Sequence, residues 1–149
     1  MKIINVIGLG YIGLPTAALL ASKNFFVNGI DVNKNVVQTI NKGKTHINEP
    51  GLNYLVNKAV NKRKLKAFNH IVPGDIFIIC VPTPIYLGKK PKPNIQHVLK
   101  ATNKIASVIK PGDSIILEST SPVGTTEKIS KVLSKKGIDV KKIFIAYCP

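Results

Sequence analysis

Short apolar runs alternate with amphipathic stretches along the whole chain. The run Ile3–Ile7 is typical of a buried strand, and Leu14, Ala17 and Ala21 then recur at helical spacing. The same alternation predicts further strands at residues 25–30, 65–68, 75–81, 114–117 and 142–147, and further helices marked by residues 36–40, 52–60, 95–109 and 129–133. Residues 88–93, rich in Gly, Pro and Lys, are expected to form a surface loop. This rhythm favours an α/β fold, a Rossmann-like doubly wound parallel sheet of six strands in a single domain.

Length and composition agree with one domain. A chain of 149 residues with 44% hydrophobic residues has enough apolar surface for a core. Its longest apolar stretch, residues 76–82, is far shorter than the roughly 20 residues of a membrane helix, and no signal-peptide cleavage site is evident. Cys80 and Cys148 lie far apart without metal-ligand spacing, which favours reduced thiols. We therefore expect a cytoplasmic protein with no metal site and no membrane partner.

The net charge of +15 raises the question of a nucleic-acid partner. Of the 22 basic residues only Arg63 is an arginine, the side chain best suited to bidentate contacts with phosphates and bases. The lysines are dispersed along the chain instead of forming one stripe with interleaved aromatic residues. These features favour solvated lysines over a nucleic-acid interface, and the anionic partner that we expect is a small nucleotide.

The first strand runs into a glycine motif. Gly8, Gly10 and Gly13 fit the pattern G-x-G-x-x-G, which is weak alone but here lies between a predicted strand and a predicted helix. In such a turn the first glycine permits the tight bend, the second lets the main chain approach a diphosphate, and the third lets the helix pack close to the sheet. The helix N-terminus then offers N–H groups to the phosphates.

An acidic residue ends the second predicted strand. Asp31 follows Gly13 by 18 residues, close to the ~20-residue interval of the acid that binds the adenosine ribose. Its carboxylate would accept hydrogen bonds from ribose hydroxyls and repel a 2′-phosphate, so NAD is favoured over NADP. The alternative is a glycine-rich turn with Asp31 serving only as a helix cap.

Two further loops at the carboxyl ends of strands carry hydroxyl groups among prolines and glycines. They place Thr83, Thr120 and Thr126 where ligands of open α/β sheets bind. The alternative is ordinary turn and cap chemistry, with Thr125 or Thr126 as the N-cap of the last helix. The histidines stand apart from one another without a paired carboxylate or nucleophile, so we assign none of them a catalytic role; they are His46, His70 and His97.

Taken together, five segments resemble the NAD-binding domain of the UDP-glucose/GDP-mannose dehydrogenase family. They are residues 6–15, 46–52, 80–84, 117–124 and 146–149, and the resemblance runs over essentially the whole chain. The family oxidises the C6 alcohol of a nucleotide sugar to a carboxylate with two NAD. The resemblance implies that Thr120 helps to orient the reacting groups, and that NAD is contacted by Tyr11, Ile12, Asp31, Thr83 and Thr126 together with the glycines.

At Glu118 and Cys148 the chain resembles the branch of the family that oxidises UDP-N-acetyl-D-mannosamine. The UDP-glucose branch usually has Lys and Ser at these two positions. That branch supplies surface polysaccharide precursors such as those of enterobacterial common antigen. UDP-glucose remains the alternative substrate.

In the family, the dimerisation helix, the sugar-nucleotide domain and the nucleophilic cysteine come after the motif found here at residues 146–149, so none of them is expected within residues 1–149. We therefore expect residues 1–149 to bind NAD but not to catalyse the reaction unaided. The expected substrate is a nucleotide sugar, and a homodimer is expected only for the full-length enzyme. The other alternative is a stand-alone NAD-binding domain with no catalysis.

Overall fold

The computed structural model describes residues 2–86 and 92–149. Its strands are β1 Ile3–Ile7, β2 Phe26–Ile30, β3 Leu65–Phe68, β4 Ile76–Ile79, β5 Ile85–Tyr86, β6 Lys92–Pro93, β7 Ser114–Leu117 and β8 Phe144–Tyr147. Its helices are α1 Gly13–Ser22, α2 Lys34–Asn41, α3 Leu52–Asn61, α4 Gln96–Ile105 and α5 Thr125–Lys135, with a 3₁₀ turn at Val140–Lys142. None of the helices in these two ranges is long and apolar enough to cross a bilayer.

Six strands form one parallel sheet in the order β3-β2-β1-β4-β7-β8. The buried apolar side chains fall into two clusters. One joins the sheet to α1, α2 and α3 through residues such as Leu14, Ile40 and Val56, and the other joins it to α4 and α5 through residues such as Ile105 and Ile129. Because helices cover both faces, the strands are buried on both sides, as parallel strands usually are. The predicted doubly wound α/β domain is confirmed.

The strand register brings four strand ends to one level. Ile7 of β1 pairs with Ile30 of β2 on one side and with Ile79 of β4 on the other, and Ile79 pairs with Leu117 of β7. Parallel strands with aligned ends deliver the residues that follow them to the same edge of the sheet. The residues delivered in this way are Gly8, Asp31, Cys80 and Glu118.

Several predicted boundaries were wrong. Helix α4 ends at Ile105 and not at residue 109, because the N–H groups of Ser107 and Val108 bond three residues back and tighten the last turn. The last strand begins at Phe144 and not at residue 142, since Asp139 accepts from the N–H of Lys141 and holds a 3₁₀ turn there.

The strand predicted at residues 75–81 is shorter, at Ile76–Ile79. The loop predicted at residues 88–93 falls partly outside the described residues. Within them, Lys92–Pro93 forms a short antiparallel pair with Ile85–Tyr86 that the sequence did not predict.

Candidate dinucleotide-binding site

The glycine turn is built by close contacts between main-chain atoms. Gly8 has a φ of +93°, and a Cβ atom there would lie 2.6 Å from the carbonyl oxygen of Cys80. A Cβ atom on Gly13 would overlap the carbonyl oxygen of Gly8. By contrast, a Cβ atom on Gly10 would meet no atom of the described residues within 4 Å. Gly8 and Gly13 are therefore required by the fold, whereas the absence of a side chain at Gly10 leaves open space at the turn.

This turn presents free hydrogen-bond donors. The N–H groups of Gly10, Tyr11 and Ile12 donate to no acceptor within residues 2–86 and 92–149. They precede the first residue of α1, where the positive end of the helix dipole lies. Unpaired N–H groups at a helix N-terminus, beside a position without a side chain, fit a diphosphate.

The carboxylate of Asp31 is held by two main-chain N–H groups. Leu9 donates to its Oδ2 atom and Asn33 donates to its Oδ1 atom, each at 2.9 Å. A carboxylate has about four acceptor positions, so both oxygens can still accept from ribose hydroxyls. The N-cap of α2 is Asn33, whose side chain accepts from the N–H of Asn35. The alternative that Asp31 serves only as a helix cap is wrong.

A cleft of about 1090 Å³ runs along the aligned strand ends. Most of the predicted residues line it, namely Gly8, Gly10, Tyr11, Ile12, Asp31, Thr83 and Thr120. Gly13 is buried beneath the turn, where it sets the closeness of α1 to the sheet. Thr126 does not line this cleft, and lies in a smaller pocket of about 230 Å³ beside Gly124 and Tyr147.

Hydrogen bonds join the two predicted hydroxyl loops. Thr83 Oγ1 donates to the carbonyl oxygen of Thr120 at 2.7 Å, and Ser119 Oγ donates to that of Val81 at 2.7 Å. These bonds fix the two loops relative to each other, and the sequence alone did not indicate which groups the two hydroxyls bind.

The start of α5 is not capped by a threonine. Gly124 occupies the N-cap position, no side chain of the described residues caps the helix, and Thr125 Oγ1 donates to the carbonyl oxygen of Pro122. Thr126 Oγ1 donates to Glu127 Oε2 at 3.1 Å. The alternative that Thr125 or Thr126 caps this helix is wrong.

Glu118 joins three elements at the floor of the cleft. Its Oε1 atom accepts from Thr16 Oγ1 of α1 at 3.2 Å, and its Oε2 atom accepts from Cys80 Sγ at 3.1 Å. Burial, and then the hydrogen bond and the negative charge of Glu118, raise the pKa of the Cys80 thiol well above its usual range. Cys80 is therefore a protonated donor with no nucleophilic character, and Cys148 is exposed; both are free thiols, as expected.

One face of α4 also lines the cleft, with His97, Lys100 and Lys104. His97 is exposed on the helix surface, and that surface belongs to the cleft. The spacing of these residues, three and four apart, could have indicated a shared helix face. In the part of the chain that the structure describes, no three His, Cys, Asp or Glu side chains are grouped to hold a metal ion.

Comparison with known proteins identifies the family to which this chain is similar. The sequence model of the NAD-binding domain of the UDP-glucose/GDP-mannose dehydrogenase family matches residues 1–149. The chain is 50% identical to the UDP-N-acetyl-D-mannosamine dehydrogenase of Campylobacter jejuni, over 97% of the chain and 37% of that protein. It is 45% identical to the NDP-N-acetyl-D-galactosaminuronic acid dehydrogenase of Ralstonia nicotianae, over 99% of the chain and 37% of that protein.

A solved structure agrees with this match. The UDP-N-acetyl-mannosamine dehydrogenase of Staphylococcus aureus superposes with a TM-score of 0.93 and is 33% identical, over 99% of this chain and 36% of that one. The chain thus spans little more than a third of the length of the relatives that it matches.

Proposed function

The chain belongs to the UDP-glucose/GDP-mannose dehydrogenase family as its NAD-binding domain, and we propose that it is the cofactor-binding part of a nucleotide-sugar 6-dehydrogenase. One observation carries the proposal. The N–H groups of Gly10, Tyr11 and Ile12, which have no acceptor among residues 2–86 and 92–149, stand at the N-terminus of α1, and their turn is hydrogen-bonded through Leu9 to Asp31. This arrangement suits the diphosphate and the adenosine ribose of NAD.

We assign the cofactor contacts as follows. Gly8, Gly10 and Gly13 shape the turn for the diphosphate, and Asp31 accepts from the ribose hydroxyls while its charge disfavours a 2′-phosphate. Tyr11 and Ile12, 72% and 58% exposed, present apolar surface beside the diphosphate site. Thr83 and Thr126 complete the proposed contacts, and Thr120 orients the reacting groups. A contact between Thr126 and NAD requires either that the ligand extends into the smaller pocket or that the loop of Thr126 shifts toward the cleft.

The proposed substrate is UDP-N-acetyl-D-mannosamine, in keeping with the names of two of the relatives above. Oxidation of a C6 alcohol to a carboxylate removes four electrons, so two NAD are consumed for each sugar. When bound, NAD supplies the nicotinamide ring that accepts a hydride. The chain's part is to hold and orient that cofactor in a cleft formed at the ends of β1, β2, β4 and β7.

The other components of such an enzyme are proposed by family membership. They are a central dimerisation helix, a C-terminal sugar-nucleotide domain and a homodimeric full-length protein. Residues 1–149 would then bind NAD but not complete the reaction by themselves. The setting that we propose is the cytoplasm, and the product a precursor of surface polysaccharide, as for enterobacterial common antigen.

A second substrate class is favoured by a specific observation. The relative named for N-acetyl-D-galactosaminuronic acid is 45% identical to this chain, close to the 50% of the mannosamine relative. Sequence identity over this domain therefore separates the two candidate substrates poorly, and UDP-glucose is a third candidate from the same family.

Calorimetric titration of the chain with NAD and NADP tests the cofactor proposal. We expect saturable binding of NAD and at least about tenfold weaker binding of NADP. NADH formation is then measured with UDP-N-acetylmannosamine, UDP-N-acetylgalactosamine and UDP-glucose, for this chain and for a protein that carries the whole family length. Absence of NAD binding would overturn the proposal, and turnover by residues 1–149 alone would overturn the division of labour.

A further inference from the structure

We propose that Glu118 makes this site prefer the oxidised, positively charged nicotinamide of NAD⁺ over the neutral ring of NADH. The inference rests on the proposed binding of NAD. It adds a specificity-determining residue to the site, on the basis of where its carboxylate lies and which groups accompany it.

The position follows from the order of the strands. Asp31 follows β2 and the glycine turn follows β1, so an adenosine held by Asp31 lies on the β2 side of the diphosphate. The other half of the dinucleotide must extend in the opposite direction along the strand ends, over β4 and β7. Glu118 is the first residue after β7, and it lines the same cleft as Asp31.

Among the described residues no cation forms an ion pair with this carboxylate, although Lys100 and Lys104 line the same cleft. Its two hydrogen-bond partners, the Thr16 hydroxyl and the Cys80 thiol, are neutral donors. Within residues 2–86 and 92–149 the only ion pair joins Lys142 to Asp139, so no lysine lies within 4.0 Å of the Glu118 oxygens. A half-buried carboxylate without a cation favours a positively charged ligand beside it.

The two forms of the cofactor differ in this one charge. The nicotinamide ring carries a positive charge in NAD⁺ and none in NADH, so a carboxylate nearby stabilises the first selectively. The net charge of +15 acts in the opposite sense, because NADH is the more negative ligand overall. That long-range attraction is weakened by salt, whereas a contact inside a cleft is screened much less. A reaction that consumes two NAD in succession benefits from a site that releases NADH readily.

The test is the ratio of two dissociation constants, Kd for NADH divided by Kd for NAD⁺, measured by calorimetry at about 0.15 M salt, where long-range attraction is screened. We expect a ratio greater than one for the wild-type chain. In Glu118→Gln, which keeps the shape and the acceptor oxygen but removes the charge, the ratio should fall about 3- to 10-fold, mainly through weaker binding of NAD⁺. Glu118→Asp should keep most of the preference for NAD⁺.

Glu49→Gln is the matched control, since Glu49 is exposed and lies outside the cleft. The ratio of the two dissociation constants in this variant should equal that of the wild type.

The outcomes separate the two proposals. If neither form of the cofactor binds the wild-type chain, the proposed function fails. If both forms bind and Glu118→Gln leaves the ratio unchanged, or weakens both forms equally, the inference about Glu118 is overturned and NAD binding stands. Circular dichroism verifies the fold of each variant. If Glu118→Gln does not fold, the wild-type ratio and Glu118→Asp decide, and tighter binding of NADH than of NAD⁺ by the wild type overturns the inference.

Discussion

The main-chain N–H of Leu9 donates to the Oδ2 atom of Asp31 at 2.9 Å, across 22 residues of sequence. This bond ties the glycine turn after β1 to the acid that follows β2. The turn and the acid are therefore set in one geometry before any ligand arrives, which reduces the ordering that binding would require. The N–H of Gly8 adds a second tie between the same strands, through the carbonyl oxygen of Ile30 at 2.8 Å.

Replacement of Asp31 by Asn should weaken the binding of NAD by about 10- to 100-fold. The substitution removes the charge from hydrogen bonds to ribose hydroxyls, and bonds to charged groups are worth about 1.5–3 kcal/mol. The affinity for NADP should fall much less, because the repulsion of the 2′-phosphate disappears with the charge. Titration calorimetry with both cofactors measures the two effects.

Asp139→Asn provides the matched control for this change, since Asp139 is exposed and also accepts from a main-chain N–H two residues on. It should leave both affinities unchanged. Equal losses for NAD and NADP in Asp31→Asn would mean that Asp31 holds the turn but does not contact the ribose.

Gly13→Ala should mainly lower the stability of the chain, whereas Gly10→Ala should mainly lower its affinity for NAD. At Gly13 the new Cβ atom overlaps the carbonyl oxygen of Gly8, and the free energy of unfolding should fall by about 3 kcal/mol or more. At Gly10 the Cβ atom has no neighbour within 4 Å in the part of the chain that the structure describes, so the stability should change by less than about 1 kcal/mol. The same Cβ atom points into the space proposed for the diphosphate and should weaken NAD binding at least about tenfold.

Thermal unfolding and NAD titration of both variants check this pair of expectations. Normal NAD affinity in Gly10→Ala would show that the diphosphate lies elsewhere. A stable Gly13→Ala would show that the contact between α1 and the turn is looser than the structure has it.

The local patterns were sufficient to predict the main sheet and the cofactor turn. Strand, glycine motif, helix and acid follow one another within residues 3–31, so Gly8 and Asp31 could be assigned roles from spacing alone. Residues of the cleft that depend on distant contacts could not. The bond from Thr16 to Glu118 spans 102 residues, and nothing near either position in the sequence indicates it.

The pair β5–β6 escaped prediction for a different reason. Its strands are two residues long and contain or adjoin prolines, which cannot donate to a strand ladder and usually indicate a loop. The part of α4 in the cleft was missed because the orientation of a helix face depends on how the helix packs. Val98, Ala101 and Ile105 pack against the sheet, and this packing leaves Lys100 and Lys104 facing the ligand space.

Thr83→Val should lower both the stability of the chain and its affinity for NAD. The substitution keeps the side-chain shape but removes the hydroxyl that donates to the carbonyl oxygen of Thr120 at 2.7 Å, a bond worth about 0.5–1.5 kcal/mol. We expect NAD to bind about threefold or more weakly, since the loop that carries Thr120 loses its anchor. Thr83→Ser keeps the hydroxyl and should restore most of both losses. A Val variant as stable as the wild type and with the same NAD affinity would show that this hydroxyl bond supports neither property. Denaturant unfolding and calorimetry provide the two measurements.

The thiol of Cys80 should make the stability of the chain fall in alkaline solution. Burial and Glu118 raise its pKa in the folded state, whereas the unfolded thiol ionises near its ordinary value of 9.0. Below about pH 9 both states hold the proton and the stabilisation is complete. Above that pH the unfolded state alone releases it, so the free energy of unfolding should fall by about 1.4 kcal/mol per pH unit.

Cys80→Ser isolates this effect, because serine keeps a donor for Glu118 but does not titrate. Both proteins compared carry Cys148→Ser, and stability is measured from about pH 9 to about pH 10, just above the pKa of the unfolded thiol. The slope of stability against pH should be steeper in the protein that keeps Cys80 than in the one with Cys80→Ser, since lysines contribute equally to both. Equal slopes would show that Cys80 ionises as easily in the folded chain as in the unfolded one.

Iodoacetamide supplies an independent check on the protein with both thiols. It should modify the exposed Cys148 in the native fold and reach Cys80 only after unfolding, since the thiolate is the reactive form and burial suppresses it.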